Sequence, residues 1–414
     1  MMNILYNILI NIIQLNLHVL KYFNKTIFKF LNERKEIFKI LKSNISENEK
    51  YIWIHVASLG EYEQGLPVFK KIKSLYKDHK IVLSFFSSSG YDLRKNNPIS
   101  DLTVYLPIDS AYNAKKFIAL INPVIVVFVK YEFWPNFLKY LKKNNTPTYL
   151  LAAIFRKNHW FFKPYGFWMK NNLKAFHHFF VQNETSKKIL KENDFDNCSI
   201  MGDSRFERVI DLPNQVNEIK HLNEFKKSKQ CFVAGSTWEE DEAMIVKFIN
   251  SCEENDICFI IAPHQINLKK INIIKDRIKK KTVLMSKLDR DNAIDSSVVI
   301  IDSIGLLTSV YSYADIGYVG GGMGNTGLHN TLEPAIFQIP VIVGENYEKF
   351  PEVKDLVDLK GFISVNGLYT FNVALINLLN NKTKRDEMGQ INYNFIQRNL
   401  GASEKVISYL KQKK

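Results

Sequence analysis

The stretch Asp315-Ile-Gly-Tyr-Val-Gly-Gly-Gly-Met-Gly-Asn-Thr-Gly-Leu-His-Asn-Thr-Leu-Glu-Pro-Ala-Ile-Phe-Gln-Ile-Pro-Val-Ile-Val-Gly344 predicts a strand, a glycine-rich loop, a helix and a second strand. Its glycines permit positive φ and remove the Cβ atoms that would block a bulky anion. Asn330 occupies an expected helix N-cap position, and Glu333 follows three residues later. This pair indicates either a simple capping box or a site where Glu333 faces a ribose and the helix start meets a phosphate. The length of the loop favours the ligand site.

Short apolar segments alternate with helix-length segments along the rest of the chain, which is the pattern of an α/β protein with doubly wound parallel sheets. A polar segment at 211–229 indicates an interdomain connection. We therefore predict an N-terminal membrane-associated helix (1–45) and two Rossmann-like domains (46–212 and 213–414) that face a cleft, as in GT-B glycosyltransferases. The other predicted strands lie at 51–57, 81–86, 103–106, 124–129, 148–152, 178–181, 231–234, 257–261 and 298–301.

The composition narrows the choice of partner. A formal net charge of +14 on 414 residues suggests a polyanionic partner, which could be nucleic acid, an anionic lipid surface or a phosphorylated substrate. Signatures of nucleic-acid modules, zinc sites and the P-loop are missing from the sequence, so we expect no nucleic-acid partner. We also expect no hydride transfer. The four cysteines lack a C-x-x-C pair, which indicates reduced thiols.

An amphipathic pattern covers 3–32. Polar residues recur every three or four positions in one stripe about 80° wide, and most of the remaining surface is apolar. Towards its end the stripe becomes cationic, with Lys21, Lys25 and Lys29. We predict one helix that lies on or anchors to an anionic membrane; packing on the protein's own core ranks second and a full membrane span third. A signal peptide is not predicted.

Three charged residues follow predicted strands of the first half. Glu61 and Glu132 are acids at strand ends, where open α/β sheets bind their ligands. Glu61 could be a general base or a plain helix-start acid, and Glu132 could face the cleft or cap a helix. Arg205 suits a phosphate or carboxylate, unless Asp203 or Glu207 pairs with it.

In the second half, Ser236 and Thr237 precede a predicted helix. Their hydroxyl groups could bind a phosphate there, although Ser and Thr are also common helix caps without any ligand.

Five segments in order resemble the 3-deoxy-D-manno-octulosonic acid (Kdo) transferases of lipopolysaccharide synthesis. They are 53–61 (WIHVASLGE), 132–136 (EFWPN), 202–206 (GDSRF), 235–237 (GST) and 327–334 (GLHNTLEP). The resemblance implies an inverting GT-B enzyme at the cytoplasmic face of the inner membrane, which moves Kdo from CMP-Kdo to the lipid A precursor lipid IVA and releases CMP.

The resemblance also implies residue roles. Glu61 matches the family's general base, and Glu132 and Arg205 match positions that support the transition state. Ser236 and Thr237 match a phosphate-side pair, and no metal is implied for the transfer. The remaining matches are Pro263, His264, Ile304, Gly305 and Leu306 on the cytidine side, and Asn330, Thr331, Leu332 and Glu333 at the phosphate and ribose.

Some positions depart from the family pattern. Lys130 replaces a glutamate, Pro263-His264-Gln265 replaces Pro-Arg-His, Arg205 replaces a lysine, and Leu306 replaces an acid. The retained acids favour a divergent member with its activity kept. Two alternatives remain open, namely a GT-B transferase or epimerase that uses a UDP-sugar, and a non-catalytic membrane-bound scaffold.

Overall fold

The computed structural model describes residues 2–254 and 256–413. The chain forms two compact units. Domain 1 comprises the chain up to Arg208 together with the segment from Leu400 onward, and domain 2 comprises Val209–Asn399.

Domain 1 is built on strands that alternate with helices. Among its described residues, seven strands form one parallel sheet in the chain order 3-2-1-4-5-6-7. The direction of winding reverses between the first and fourth strands, so a ligand site is expected at their carboxyl ends. The strands are β1 (Lys50–Val56), β2 (His79–Phe85), β3 (Leu102–Tyr105), β4 (Pro123–Val129), β5 (Thr148–Ala153), β6 (His178–Val181) and β7 (Cys198–Ile200).

The helices of domain 1 cover both faces of this sheet. Alternate residues of β1 point to opposite faces, with Trp53 in one apolar cluster and Ile52 and Ile54 in another, which explains why consecutive residues of this strand are apolar. The helices are α1 (Met2–Leu20), α2 (Lys25–Lys35), α3 (Ile37–Asn44), α4 (Leu59–Leu75), α5 (Ser88–Arg94), α6 (Ala111–Ile121), α7 (Pro135–Lys143), α8 (Phe167–Leu173), α9 (Glu184–Lys191) and α10 (Arg205–Val209), with 3-10 turns at Trp160–Phe162 and Pro164–Gly166.

Domain 2 repeats the design. In its described residues, seven parallel strands take the order 10-11-9-8-12-13-14, and the winding reverses between the eighth and twelfth. The strands are β8 (Gln230–Thr237), β9 (Ile257–Pro263), β10 (Thr282–Leu284), β11 (Val298–Ile300), β12 (Ile316–Val319), β13 (Val341–Gly344) and β14 (Phe362–Val365). The helices are α11 (Leu222–Lys226), α12 (Glu239–Ser251), α13 (Leu268–Arg277), α14 (Arg290–Asp295), α15 (Leu307–Tyr311), α16 (Leu332–Ile336), α17 (Pro351–Asp358), α18 (Leu368–Asn380) and α19 (Lys382–Arg398), with 3-10 turns at Leu212–Asn214 and Met285–Lys287.

The last helix, α20 (Ala402–Lys413), does not follow the predicted division at 212/213. It packs on α4 in domain 1, where Val406 and Leu410 are buried among residues of the β1 and β2 face. Burial of this apolar stripe outweighs sequence proximity to domain 2.

The predicted single helix at 3–32 is wrong. The chain turns after Leu20, and Asn24 caps a separate helix, α2, by accepting bonds from the amides of Thr26 and Ile27. Every described residue of α1 is at least partly exposed, so packing of its apolar surface on the protein's own core is also wrong.

Candidate active site

Glu61 lies at the reversal point of the domain 1 sheet, as the third residue of α4 directly after β1. Its Oε2 accepts a hydrogen bond from the backbone amide of Ala57. The helix-start role considered from the sequence is therefore present in the structure. The side chain is half-buried, so its carboxyl group is still partly accessible at the carboxyl edge of the sheet.

The environment of Glu61 adjusts its proton affinity. Burial, together with the charge of Glu132, raises the pKa of Glu61 to about 7, although the Ala57 amide and Lys130 act in the opposite direction. A carboxyl group with a pKa near neutrality can accept a proton and still be available in its ionised form. Glu61 is thus equipped for general-base chemistry.

Glu132 follows β4, the other strand of the reversal point, and is buried. Its Oε2 lies 2.9 Å from His55 Nε2 and accepts a hydrogen bond of 2.7 Å from Trp134 Nε1. His55 is fully buried, and its Nδ1 lies 2.9 Å from Ser84 Oγ. Buried side chains therefore hold the Glu132 carboxylate in one position.

The helix-cap role weighed for Glu132 belongs to another acid. The carboxylate of Asp109 accepts bonds of 3.1 Å from the backbone amides of Asn136 and Phe137 in the first turn of α7. His55 and Asp109 were both missed as site residues. His55 could have been identified only as a polar residue in a fully apolar strand.

Arg205 is engaged in an ion pair. Its guanidinium bonds Asp203 through Nη2 at 2.6 Å and Nε at 2.8 Å, so Asp203 is the partner that the sequence left open. Asp203 also accepts from Gln64 Nε2 at 3.2 Å, and Gln64 lies one turn after Glu61 on α4. This hydrogen bond connects the Arg205–Asp203 ion pair to α4, the helix that carries Glu61. Glu207 instead accepts bonds from the amides that start α20.

In domain 2, Ser236 and Thr237 end β8 at its reversal point, and Ser236 adopts a positive φ of 53°. Thr237 pairs with Pro263, and its carbonyl accepts from the His264 amide at 2.9 Å. The Thr237 hydroxyl donates to Glu242 at 3.1 Å. Neither residue is the N-cap of α12, which is Trp238.

Asp241, which the sequence did not single out, organises the glycine-rich loop after β12. Its fully buried carboxylate accepts bonds from the Trp238 amide (2.9 Å), the Gly321 amide (2.8 Å) and the Tyr318 hydroxyl (2.6 Å). A Cβ on Gly320 would lie 2.5 Å from the Ser236 carbonyl oxygen and 2.7 Å from Asp241. Close packing of two loops, and not only access for an anion, thus requires glycine here.

Three aromatic rings from three different loops form a stack: Trp238 follows β8, His264 follows β9, and His329 lies in the glycine-rich loop after β12. The Trp238 and His264 rings are 4.5 Å apart, and the His264 and His329 rings 4.3 Å. Burial lowers the pKa of both histidines, and the proximity of His264 lowers that of His329 further. A cavity of about 370 Å³ opens beside Trp238, Thr237 and Pro263.

The turn Ile304-Gly305-Leu306 leads into α15, with Ile304 89% exposed. Gly305 has a φ of 95°, and no described residue lies within 4 Å of the Cβ that it lacks. Thr308 donates a hydrogen bond of 3.0 Å to Glu333, which joins this turn to α16.

The segment Asn330–Glu333 differs from its predicted form. Thr331 is the N-cap of α16, and Asn330, at φ 50°, precedes it and accepts from the Glu333 amide through its carbonyl. The expected N-cap position of Asn330 is therefore wrong, and the capping box that was weighed as the alternative to a ligand site is not formed. Thr331 and Leu332 are buried, and Glu333 is only 4% exposed. Of the residues expected on the nucleotide side, Thr237 lies beside Pro263 and His264. Thr308, in the helix after the 304–306 turn, bonds Glu333, and His264 stacks on His329, the residue before Asn330.

Residues 31–208 match the family described as 3-deoxy-D-manno-octulosonic-acid transferase (kdotransferase). The chain is 26% identical over 380 residues to the 3-deoxy-D-manno-octulosonic acid transferase of Haemophilus influenzae, covering 87% of this chain and 86% of that protein. The protein of the same name from Aquifex aeolicus is 26% identical over 329 residues, with 77% and 83% covered.

The architecture has solved counterparts as well. The UDP-GlcNAc 2-epimerase of Neisseria meningitidis superposes with a TM-score of 0.63 at 14% identity, over 88% of this chain and all of that chain. At this identity the likeness concerns the fold alone, and it agrees with the predicted GT-B class of two Rossmann-like domains. Together with the sequence relatives, it leads to one conclusion: the chain is a glycosyltransferase that carries, at residues 31–208, a segment matching the Kdo transferase family.

Proposed function

We propose that the protein transfers Kdo from CMP-Kdo to a hydroxyl group of lipid IVA, with inversion at the anomeric carbon and with Glu61 as the general base. The observation that carries this proposal is the pair of carboxylates at the reversal point of domain 1. Glu132 is fixed by His55 and Trp134, and its charge and the burial of Glu61 raise the pKa of Glu61 to about 7.

The chemical step needs one base and one leaving group. The acceptor hydroxyl oxygen attacks the anomeric carbon, and its proton passes to the Glu61 carboxylate. The bond from the anomeric carbon to the phosphate oxygen breaks, and CMP leaves with the electron pair. In this scheme Glu132 and Arg205 support the charge that develops, with Asp203 holding the Arg205 guanidinium in a fixed direction.

Domain 2 is assigned the donor nucleotide. Ser236 and Thr237 would meet the phosphate, and the turn 304–306 with Pro263 and His264 would meet the cytidine. Asn330, Thr331, Leu332 and Glu333 would form the phosphate and ribose side. The hydrogen bond between Thr308 and Glu333 supports this arrangement, because it holds α15, which follows the 304–306 turn, against α16. The Kdo donor itself is supported by the names of the relatives.

The N-terminal helix supports a location at the inner membrane, on its cytoplasmic face. Helix α1 is the described helix whose length and composition would suit a membrane. Its outward residues are large and apolar, with Leu15 at 69% exposure, and Phe23 in the following turn is 84% exposed. Lys21 and Lys25 lie nearby and would attract anionic lipid. Flotation with anionic and with zwitterionic vesicles tests this, and equal absence of binding to both would refute it.

The function is tested by mass spectrometry of lipid IVA after incubation with the purified protein and CMP-Kdo. We expect one or more Kdo increments, and a decrease in kcat of about 10³-fold for Glu61→Gln, because a general base contributes roughly 10²- to 10⁴-fold. Glutamine keeps an oxygen for the Ala57 amide, so the helix start remains capped. The affinity for CMP, measured by calorimetry, should stay unchanged.

Two outcomes would overturn parts of the proposal. Full activity of Glu61→Gln would remove Glu61 as the base. A wild-type protein that binds UDP but not CMP would point to the alternative of a UDP-sugar enzyme, and a protein that binds CMP without transfer would point to another acceptor or to a scaffold.

A further inference from the structure

At the N-terminal end of α1, polar side chains face the rest of domain 1, on the side opposite to the exposed apolar residues described above. Asn3, Tyr6 and Asn7, within one and a half turns, each contact domain 1. The indole of Trp168 donates to Asn3 Oδ1, and its ring lies 5.3 Å from that of Tyr6. This helix is therefore seated on the domain by specific polar contacts.

The contacts of Tyr6 and Asn7 reach the cap of α7. The Tyr6 hydroxyl donates to Asp109 Oδ2 at 2.8 Å, and Asn136 Nδ2 donates to Asn7 Oδ1 at 2.9 Å. Asn136 Nδ2 also donates to the backbone carbonyl of Asp109 at 2.6 Å. Asp109 is the acid that caps α7 through the amides of Asn136 and Phe137.

Helix α7 begins immediately after the loop that carries Glu132. Trp134, the N-cap of α7, donates to the Glu132 carboxylate, and Pro135 is the first helical residue. Any displacement of the first turn of α7 therefore moves Trp134 and, with it, Glu132. The contacts of α1 stabilise the turn from which that carboxylate is positioned.

A second connection reaches the same carboxylate from α2. The buried Arg34 donates to the carbonyl oxygens of Leu106 and Phe86, the residues that directly follow β3 and β2. The ring of Phe86 lies 4.9 Å from that of Trp134. Helices α1 and α2 thus approach Glu132 by separate routes, one through hydrogen bonds and the other through ring packing.

We propose that Tyr6, Asn7 and Arg34 are positioning residues of the active site, so that the N-terminal helices align Glu132 in addition to binding a membrane. The inference rests on the proposed function for its kinetic consequence. Its structural consequence, a more mobile start of α7 when the α1 contacts are lost, does not depend on the reaction.

The test compares two variants of the full chain. Tyr6→Phe/Asn7→Ala removes two contacts with Asp109 and Asn136 and leaves the outward apolar face intact. Asn16→Ala is the matched control, because the Asn16 amide bonds the carbonyl of Ile12 in the same helix. Kinetics are measured with the acceptor dispersed in non-ionic detergent, so that partition into a bilayer does not limit the rate.

We expect kcat of the double variant to fall about tenfold, with the KM for acceptor, the affinity for CMP and the flotation with vesicles all unchanged. Amide hydrogen exchange in the peptide covering 130–143 should become about tenfold faster, because the Asp109 cap of Asn136 and Phe137 loosens. Asn16→Ala should match the wild type in every measurement. Arg34→Lys, which keeps the charge but not the forked donors, should lower kcat in the same way.

Unchanged exchange in the double variant would overturn the inference whatever reaction the protein catalyses. An unchanged kcat in an active protein, or a loss of rate that follows a loss of vesicle binding, would also overturn it and leave α1 as an anchor only. Absence of Kdo transfer by the wild type would refute the proposed function, and the exchange measurement would still decide the positioning role.

Discussion

The carboxyl edges of the two sheets both belong to seven-stranded parallel sheets, but they use different groups. In domain 1, side chains hold other side chains, as His55 and Trp134 hold the Glu132 carboxylate. In domain 2, one carboxylate holds backbone, because Asp241 binds the amides of Trp238 and Gly321. Each edge lies at the point where the winding of its sheet reverses.

The difference fits the two tasks proposed for the domains. Proton transfer needs a carboxyl group whose position and proton affinity are fixed by burial and nearby charge, as for Glu61. Nucleotide binding needs loops of the right shape that present backbone and rings, as with Gly305 and the stack of His264 on His329. Substitutions at the domain 1 edge should therefore change kcat, and substitutions at the domain 2 edge should change the affinity for the nucleotide.

The largest effect at either edge is expected from Asp241→Asn, which should weaken the binding of the nucleotide to domain 2. The Trp238 and Gly321 amides share one oxygen of Asp241, so an asparagine that keeps both of them turns its NH2 group towards the Tyr318 hydroxyl, which can then no longer donate to this side chain. The two amides also lose a charged acceptor. We expect the Kd for CMP, measured by calorimetry, to rise between about 10- and 100-fold, while the pH dependence of the rate stays unchanged.

The matched control is Asp315→Asn. Asp315 also joins β12 to β8, through the Cys231 amide and Lys226, but at the amino ends of these strands. This variant should keep its affinity for CMP. Equal loss of affinity in both variants would mean that Asp241 supports the fold of domain 2 and not the shape of its ligand loops.

The two sheets could be predicted from the sequence because hydrophobic periodicity and the turn residues between strands are local signals. Apolar strands followed by Ser236-Thr237 and by Gly320-Gly321-Gly322 located both loops of the domain 2 reversal point. The predicted strands leave out the short strands β7 and β10 and also β14 (Phe362–Val365). Short strands carry few residues, and β14 is fixed by pairing with β13 and by burial of Val365 in the core, both of which are long-range contacts.

Long-range partners could not be predicted. His55 and Glu132 are 77 residues apart, and Asp241 and Gly321 are 80 apart. In sequence, His55 is one polar residue in a strand, and Asp241 is one of four acids at a helix start, where acids are common without any ligand. Only the strand order, which places β1 beside β4 and β8 beside β12, brings these partners together.

A smaller effect is expected from His55→Gln, which tests whether side-chain support matters at the domain 1 edge. Loss of the imidazole should let the Glu132 carboxylate shift, and kcat should fall about tenfold with the affinity for CMP unchanged. His178→Gln is the control, since His178 is another buried histidine of the same sheet with a serine partner, at the amino end of β6. A decrease of kcat in His178→Gln as large as in His55→Gln would contradict a local role.

The smallest expected effect is a shift of the pH profile, which tests the electrostatic environment of Glu61 at the domain 1 edge. Glu61 must be ionised to act as a base, so kcat/KM should rise with pH through its pKa of about 7. The Glu132 charge raises that pKa and Lys130 lowers it. Glu132→Gln should therefore move the acidic limb of the profile to lower pH, and Lys130→Met should move it to higher pH, each by up to about one pH unit. Shifts in the same direction would show that the limb reports a group other than Glu61. Opposite shifts would assign the limb to Glu61, because no single change of fold or stability moves one titration both ways.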